Sequence, residues 1–184
     1  CADRCSRRSG QISVSWRRCR VDSYEALLRA QRLGHVRAVG VSNFAPRHLL
    51  DLVQEGLNEP VVHQLELHPA WYDQGLLSEG RLQEVTFQAY GCLGGAHTGA
   101  VLLRLAPLQD LAEALGVSAA QVLYRWAYQK GAAVITGGST QEHIQENLDV
   151  EHFQLSDEDM HLLDHWIPRD MMQKSYGPLP EDIL

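Results

Sequence analysis

Apolar residues recur with two different periods along this chain, one helical and one extended, and the two alternate. Ala26, Leu27, Ala30 and Leu33 sit at helical spacing, with Asp22 or Ser23 as cap and Gly34 as stop. Val36 to Val41 reads as a strand. Pro46 suits a first helical turn, and Leu49, Leu50, Leu52 and Val53 carry that helix to Gly56. The exchange then repeats. Strands are predicted over Val61 to Leu67 and Val85 to Tyr90, with a helix over Leu76 to Glu84 between them. Two helices follow, Leu108 to Leu115 and Gln121 to Gln129, the second opened by a capping box at Ser118 to Gln121. Ala132 to Thr136 is a short apolar run of the kind that is buried on both faces of a sheet. Ser139 or Thr140 can cap a helix starting near Gln141, and Ser156 to Asp159 caps a last helix through Trp166. A proline-rich tail runs from Pro168 to Leu184.

Strand starts at 36, 61, 86 and 132, each pair separated by helix, predict an α/β fold with a parallel sheet. Right-handed crossovers then bring the loops after the strands to one rim, where such sheets bind ligands. Ser42-Asn43, His68, Tyr90 to Gly95 and Gly137 to Thr140 would share it. The last stretch is the sharpest. Gly137 and Gly138 break the strand and allow close approach to the backbone, and the capped helix aims free N–H groups at an anion, most often a phosphate. Ser42 and Asn43 offer a hydroxyl and an amide, Gln64 can donate and accept, and Tyr90 can present a ring face. Each alone has an ordinary structural reading as turn, cap or core residue; together they point to a carboxamide- and phosphate-bearing ligand.

Charge divides the 184 residues unevenly. Residues 1–20 hold six arginines and one aspartate, so the formal net charge of -7 conceals an acidic body behind a basic head. An acidic body argues against a nucleic-acid surface. No apolar run approaches the roughly 18 residues of a membrane span. The head reads as irregular, although Gln11 to Trp16 alternates as a strand would. It holds Cys1, Cys5 and Cys19, with Cys92 standing alone; no C-x-x-C occurs and no zinc spacing forms with His63 or His68. Free thiols in a cytoplasmic setting are the expectation. The opening residue is Cys1, not Met, which predicts a processed or incomplete start. His161 and His165, one turn apart beside Asp164, read as a solvated helix face. The hydrolase elbow, the dinucleotide fingerprint and the Walker sequence are all missing.

An ordered series of segments resembles the aldo-keto reductases. It comprises Val36 to Phe44 (VRAVGVSNF), Gln64 to Pro69 (QLELHP), Gln88 to Tyr90 with Leu93-Gly94, and Gln121 to Trp126 (QVLYRW). Val134-Ile135 with Glu142 to Asn147, and Leu155 to Met160, continue it, so that the match covers residues 22–166. The likeness is to the C-terminal half of the family's eight-stranded TIM barrel. It implies a partial (β/α)8 barrel of about four parallel β/α units plus a C-terminal helix and tail. On that division residues 1–20 are a basic head and 21–184 the C-terminal half of an NAD(P)-dependent oxidoreductase barrel.

The family reduces aldehydes and ketones by hydride transfer from NADPH. The resemblance assigns Ser42, Asn43 and Gln64 to the nicotinamide carboxamide and Tyr90 to the ring stacked on it. Leu93 falls in the pyrophosphate loop, Gly137, Gly138, Ser139 and Thr140 face the adenosine 2′-phosphate, and Glu146 and Asn147 lie near the adenine. Many members have Lys at Gly137 and Arg at His143, both pairing with that phosphate. Their loss removes two charge-assisted contacts of about 1.5–3 kcal/mol each, so NAD(H) is admitted beside NADP(H). Gly91 also replaces the family's usual Ser. The family's catalytic Asp, Tyr, Lys and His lie in its N-terminal half, and residues 1–20 contain no His, Lys or Tyr. If Gln11 to Trp16 is a remnant of the fourth strand, Ser15 stands where the catalytic His would be. The expectation is therefore a truncated reductase that keeps much of the cofactor site, has no catalytic residue, and needs the missing half to meet a small carbonyl substrate. The alternative is a non-catalytic nucleotide-sensing or interaction module that self-associates through open sheet edges.

Overall fold

The computed structural model describes residues 16–72, 74–82 and 85–166, and for residues 79–82, 96–98, 100 and 166 the backbone alone. The proposed strand at Gln11 to Trp16 lies outside these residues except for Trp16, as does the tail beyond Trp166. Eight helices and four strands alternate among the described residues. They fall into two compact units, the first containing residues up to His63 and the second beginning at Gln64.

In the first unit, helix α1 (Trp16–Arg32) is followed by β1 (Gly40–Ser42), α2 (Pro46–Gln54) and the first residues of β2 (Val62–Glu66). The sequence placed the start of α1 at Asp22 or Ser23, after an irregular head. The helix already includes Trp16 to Val21. Three head arginines have a folded use. Arg17 bonds Asp51 and Glu55 of the α2 region at 2.8 and 2.7 Å, Arg20 reaches Asp51 at 3.3 Å, and Arg18 pairs with Asp22 one turn on at 2.8 Å. Burial pushes the Asp51 carboxyl up, but the hydrogen bonds from Arg17 and Arg20 outweigh it and hold the group below the usual carboxylate range. Val21, Tyr24 and Leu28, spaced along one face of α1, close over Val39 and Leu52 to make this unit's core. Cys19 is disulfide-bonded, against the free-thiol expectation.

The strand expected over Val36 to Val41 is shorter and later, Gly40–Ser42. Its pairing with β2 begins where the Val61 N–H donates to the Val39 carbonyl at 3.2 Å. The two backbones lie so close that a Cβ on Gly40 would sit 2.7 Å from the Val62 carbonyl oxygen.

The loop between β1 and α2 is fastened by two buried histidines. The Phe44 N–H donates to Nε2 of His63 and the Ala45 N–H to Nδ1 of His48, both at 3.1 Å. His48 stands three residues past the Ala45 N-cap, where Glu or Gln would make the reciprocal bond of a capping box. Burial drives both histidines down to about 4; Arg20 and Arg47 add to the effect at His48. Both rings are therefore neutral acceptors at pH 7.

In the second unit the rest of β2 leads through α3 (Gln74–Leu82) to β3 (Thr86–Tyr90), then α4 (Gly95–Leu102), α5 (Ala106–Leu115), α6 (Ala119–Gln129) and β4 (Ala133–Val134). Helices α7 (Gln141–Leu148) and α8 (Asp157–Trp166) complete it. The Leu67 N–H donates to the Tyr90 carbonyl at 3.1 Å, and β3 pairs with β4 in parallel, Gln88 opposite Ala133 and Ala89 opposite Val134. The strand order is β1-β2-β3-β4. Helix α4 was not predicted: Gly95 to Leu102 is rich in small residues and shows no clear helical period in the sequence. Strand β4 is also not the doubly buried run that was predicted. Ala132 is buried, but Ala133 is exposed and Ile135 is 42% exposed.

The core of this unit is organised by α6. Val122, Leu123, Trp126 and Ala127 are fully buried. The Trp126 indole donates to Asp164 of α8 at 2.9 Å, and Lys130 pairs with the same carboxylate at 2.6 Å while lying over the Tyr72 and Trp126 rings.

Two outcomes follow from these contacts. Gly40→Ala drives a methyl group into the Val62 carbonyl and is expected to destabilise the chain by about 1–3 kcal/mol in urea unfolding. A histidine depressed from its ordinary 6.5 to about 4 binds its proton more readily unfolded than folded. Stability from His48 and His63 is thus intact above about pH 6.5 and falls as pH drops toward 4. Denaturant midpoints measured across that window should decline, and replacing both histidines with leucine should flatten the decline.

Candidate functional site

Alternation along a strand divides the sheet of the second unit into two faces. Leu67, Phe87 and Ala89 are buried on one, while Gln64, Thr86, Gln88 and Tyr90 lie half-buried or exposed. Gln64 of β2 and Gln88 of β3 meet across the ladder, the Gln64 Nε2 donating to the Gln88 Oε1 at 3.1 Å. That bond commits one N–H of the Gln64 amide and orients the group. Tyr90 is the last residue of β3. Glu66, buried, approaches the Nε2 of the buried His68 at 3.4 Å. A Cβ on Gly91 would meet Glu66 side-chain atoms at 3.5–3.9 Å, ordinary contact.

Beyond Tyr90 the chain turns tightly, the Gly94 N–H donating to the Gly91 carbonyl at 2.8 Å. Gly94, in the left-handed region at φ 92°, caps α4. Leu93 is half-buried within this turn, and Cys92 is buried, its thiol pushed up to about 12. A Cβ on Gly99 would lie 2.8 Å from the Leu93 carbonyl oxygen, so the unexpected helix α4 packs its backbone directly on the turn. Small residues here hide the helix in the sequence and permit the contact in the structure.

The loop from β4 into α7 has the form the sequence predicts. Thr140, and not Ser139, is the cap, its Oγ1 accepting from the His143 N–H at 3.2 Å. The Asn147 amide, near the end of α7, donates to the Gly137 carbonyl ahead of the helix at 3.1 Å, closing the loop on the helix. Gly138 is hemmed in, since a Cβ there would lie 3.0–3.3 Å from Ile144 and His143; around Gly137 nothing lies within 4 Å. Ser139, His143 and Glu146 are exposed. Glu142 accepts from its own N–H and from the Thr140 hydroxyl, which hold its carboxyl below the usual range. The first turn of α7 thus already carries an anion of its own.

Helix α6 fixes where α7 ends. Gln121, Arg125 and Gln129 lie on one stripe and grip the segment after it: Gln121 donates to the Asp149 carbonyl at 2.8 Å and Arg125 to the Val150 carbonyl at 3.1 Å. Gln129 holds both the N–H and the carbonyl of Leu155, at 2.8 and 3.0 Å. Sequence reasoning read Gln121 as part of a capping box and, with Arg125, of a family segment, but did not read the three residues as one stripe. Its signal was present: three long polar side chains four residues apart on an otherwise buried helix.

In the first unit Ser42 ends β1 and Asn43 follows it in the left-handed region, φ 56°. The Asn43 amide donates to the Ser42 hydroxyl at 3.3 Å. Among the described residues no group of three or more His, Cys, Asp or Glu side chains could hold a metal ion, and no helix is long and apolar enough to cross a membrane.

Comparison with known proteins matches these features to one family. The profile of the Aldo/keto reductase family covers residues 15–167. A D-galacturonate reductase of Fragaria ananassa is 32% identical over 145 residues, which is 77% of this chain and 46% of that protein. The crystal structure of Gox0644 in its apo form superposes with a TM-score of 0.75 at 30% identity, over 87% of this chain and 58% of that one. A Gox0644 variant solved in complex with NADPH gives 0.71 at 29%, over 88% and 56%. This chain spans about half the length of the curated relatives it matches. Its parallel sheet and covering helices are those of a partial (β/α)8 barrel, and the chain belongs to the aldo/keto reductase family.

Proposed function

We propose that this chain carries the nicotinamide-dinucleotide-binding half of an aldo-keto reductase barrel and holds NAD(P)H without reducing carbonyl compounds unaided. The observation that carries this reading is the β4–α7 loop: a capped helix start, strapped to the helix by the bond from Asn147 to the Gly137 carbonyl, with open space at Gly137. Gln64, oriented by Gln88, and Tyr90 at the end of β3 supply a carboxamide partner and a ring platform. By family resemblance Ser42 and Asn43 of the first unit are assigned to the carboxamide, and Leu93 of the second unit to the pyrophosphate. Gly137 to Thr140 and His143 face the adenosine ribose, with Glu146 and Asn147 toward the adenine. The bound nicotinamide supplies the hydride for reduction of an aldehyde or ketone to an alcohol. The family's Asp, Tyr, Lys and His lie in its N-terminal half, outside the segments matched here, and general acid catalysis alone is worth about 10²–10⁴-fold. Reduction of a small carbonyl substrate therefore requires the half-barrel that carries those groups.

Discrimination between the two dinucleotides is weak in this reading, because Gly137 and His143 replace the cations that pair with a 2′-phosphate. A second reading, self-association through the sheet edge, rests on β4, where Ala133 and Ile135 are exposed. Light scattering of the purified chain decides it: a monomer at all concentrations removes that reading.

The purified chain should bind NADH in calorimetry yet oxidise none of it in the presence of a generic aldehyde; turnover would overturn the assignment. Introducing Gly137→Lys and His143→Arg together should tighten NADPH at least about tenfold and leave NADH unchanged, from two charge-assisted bonds of about 1.5–3 kcal/mol each.

A further inference from the structure

We propose that His63 and His48 are positioning residues for the dinucleotide: by accepting the consecutive N–H groups of Phe44 and Ala45, they hold Asn43 in its left-handed conformation. Ser42 and Asn43 are thereby kept in the arrangement that meets a carboxamide. The inference rests on the assignment of those two residues to the nicotinamide end, and it adds two residues that the assignment does not contain.

The geometry requires a fastening of this kind. A non-glycine residue at positive φ is held in a sparsely populated region and stays there only when its surroundings over-determine it. Asn43 is the one such residue among those described, at φ 56°. The two N–H groups that follow it have no helical or ladder partner, since they precede the first turn of α2. Both go to imidazole nitrogens at 3.1 Å, from rings that are 0% and 2% exposed. His63 comes from β2 and His48 from α2, so the loop is fixed from two elements at once. The Phe44 ring meets His48 edge-on at 5.7 Å between centroids and completes the clamp. A neutral imidazole has one acceptor nitrogen. At His48 the backbone bond takes it in preference to the Arg47 Nε, which lies 3.3 Å from the other nitrogen. Neither ring touches solvent, so their part is to shape the loop and not to contact the ligand.

The test separates the two ends of the dinucleotide. His63→Leu and His48→Leu remove an acceptor at similar volume. His63→Gln and His48→Asn place an amide oxygen near the lost Nε2 or Nδ1. Calorimetry with NADH and with ADP-ribose, which lacks the nicotinamide, is run on the full chain and each variant. The Leu variants should lose about tenfold in NADH affinity with ADP-ribose affinity unchanged, and the amide variants should recover most of the loss. Amide hydrogen exchange without nucleotide gives an independent reading: Phe44 and Ala45 should lose protection in the Leu variants and keep it in the amide variants. Unchanged NADH affinity or unchanged protection in a Leu variant overturns the inference, as does an equal loss of both ligands without rescue. If the unaltered chain binds neither ligand, the dinucleotide assignment itself fails, and the positioning role falls with it.

Discussion

Backbone N–H and C=O groups at the ends of parallel strands need partners, and no neighbouring strand supplies them there. Much of this chain can be understood as the set of side chains recruited to that task. His63 and His48 serve the loop after β1, Asn147 the Gly137 carbonyl in the loop after β4, and Gln121, Arg125 and Gln129 the segment after α7. Each side chain comes from a regular element and reaches a loop, so the loops inherit the rigidity of the helices and strands behind them. A ligand-binding rim needs that quality, because its polar groups must be in place before the ligand arrives.

The same constraint explains why ordinary residue types recur here in unusual settings. Buried histidines cost free energy to protonate, and here they are used as permanent neutral acceptors. A glutamine on α6 is extended between the two polar groups of a single residue, Leu155. Neither use needs a charge, which suits places where burial would penalise one.

What the sequence disclosed depended on whether local chemistry and tertiary contact agreed. The capping box at Ser118, the cap before α7, the last cap at Ser156 and the order of strands were legible because each is written within a few adjacent residues. The start of α1 was not. Trp16 to Arg20 has no aliphatic period, and its helix is supported by ion pairs to Asp51 and Glu55, some 31–38 residues away. Helix α4 was masked by Gly95 and Gly99, and the small size of Gly99 meets a packing need at Leu93. The apolar run at Ala132 to Thr136 suggested a strand buried on both faces, yet its strand covers only Ala133–Val134, and Ala133, Ile135 and Thr136 are exposed. The candidate cofactor residues were located by family resemblance; the hold of His48 and His63 on the loop after β1, and of Gln121, Arg125 and Gln129 on the segment after α7, emerged only from coordinates.

Cys92 has a practical corollary. It is the free thiol among the described residues, 2% exposed and with its ionisation pushed up to about 12, seated one residue before Leu93. A thiol so placed is inert to alkylating reagents until the turn around it opens, because only the thiolate attacks. Its labelling half-life is thus a stopwatch for local opening of the turn from Gly91 to Gly94, read by mass spectrometry without any engineered probe.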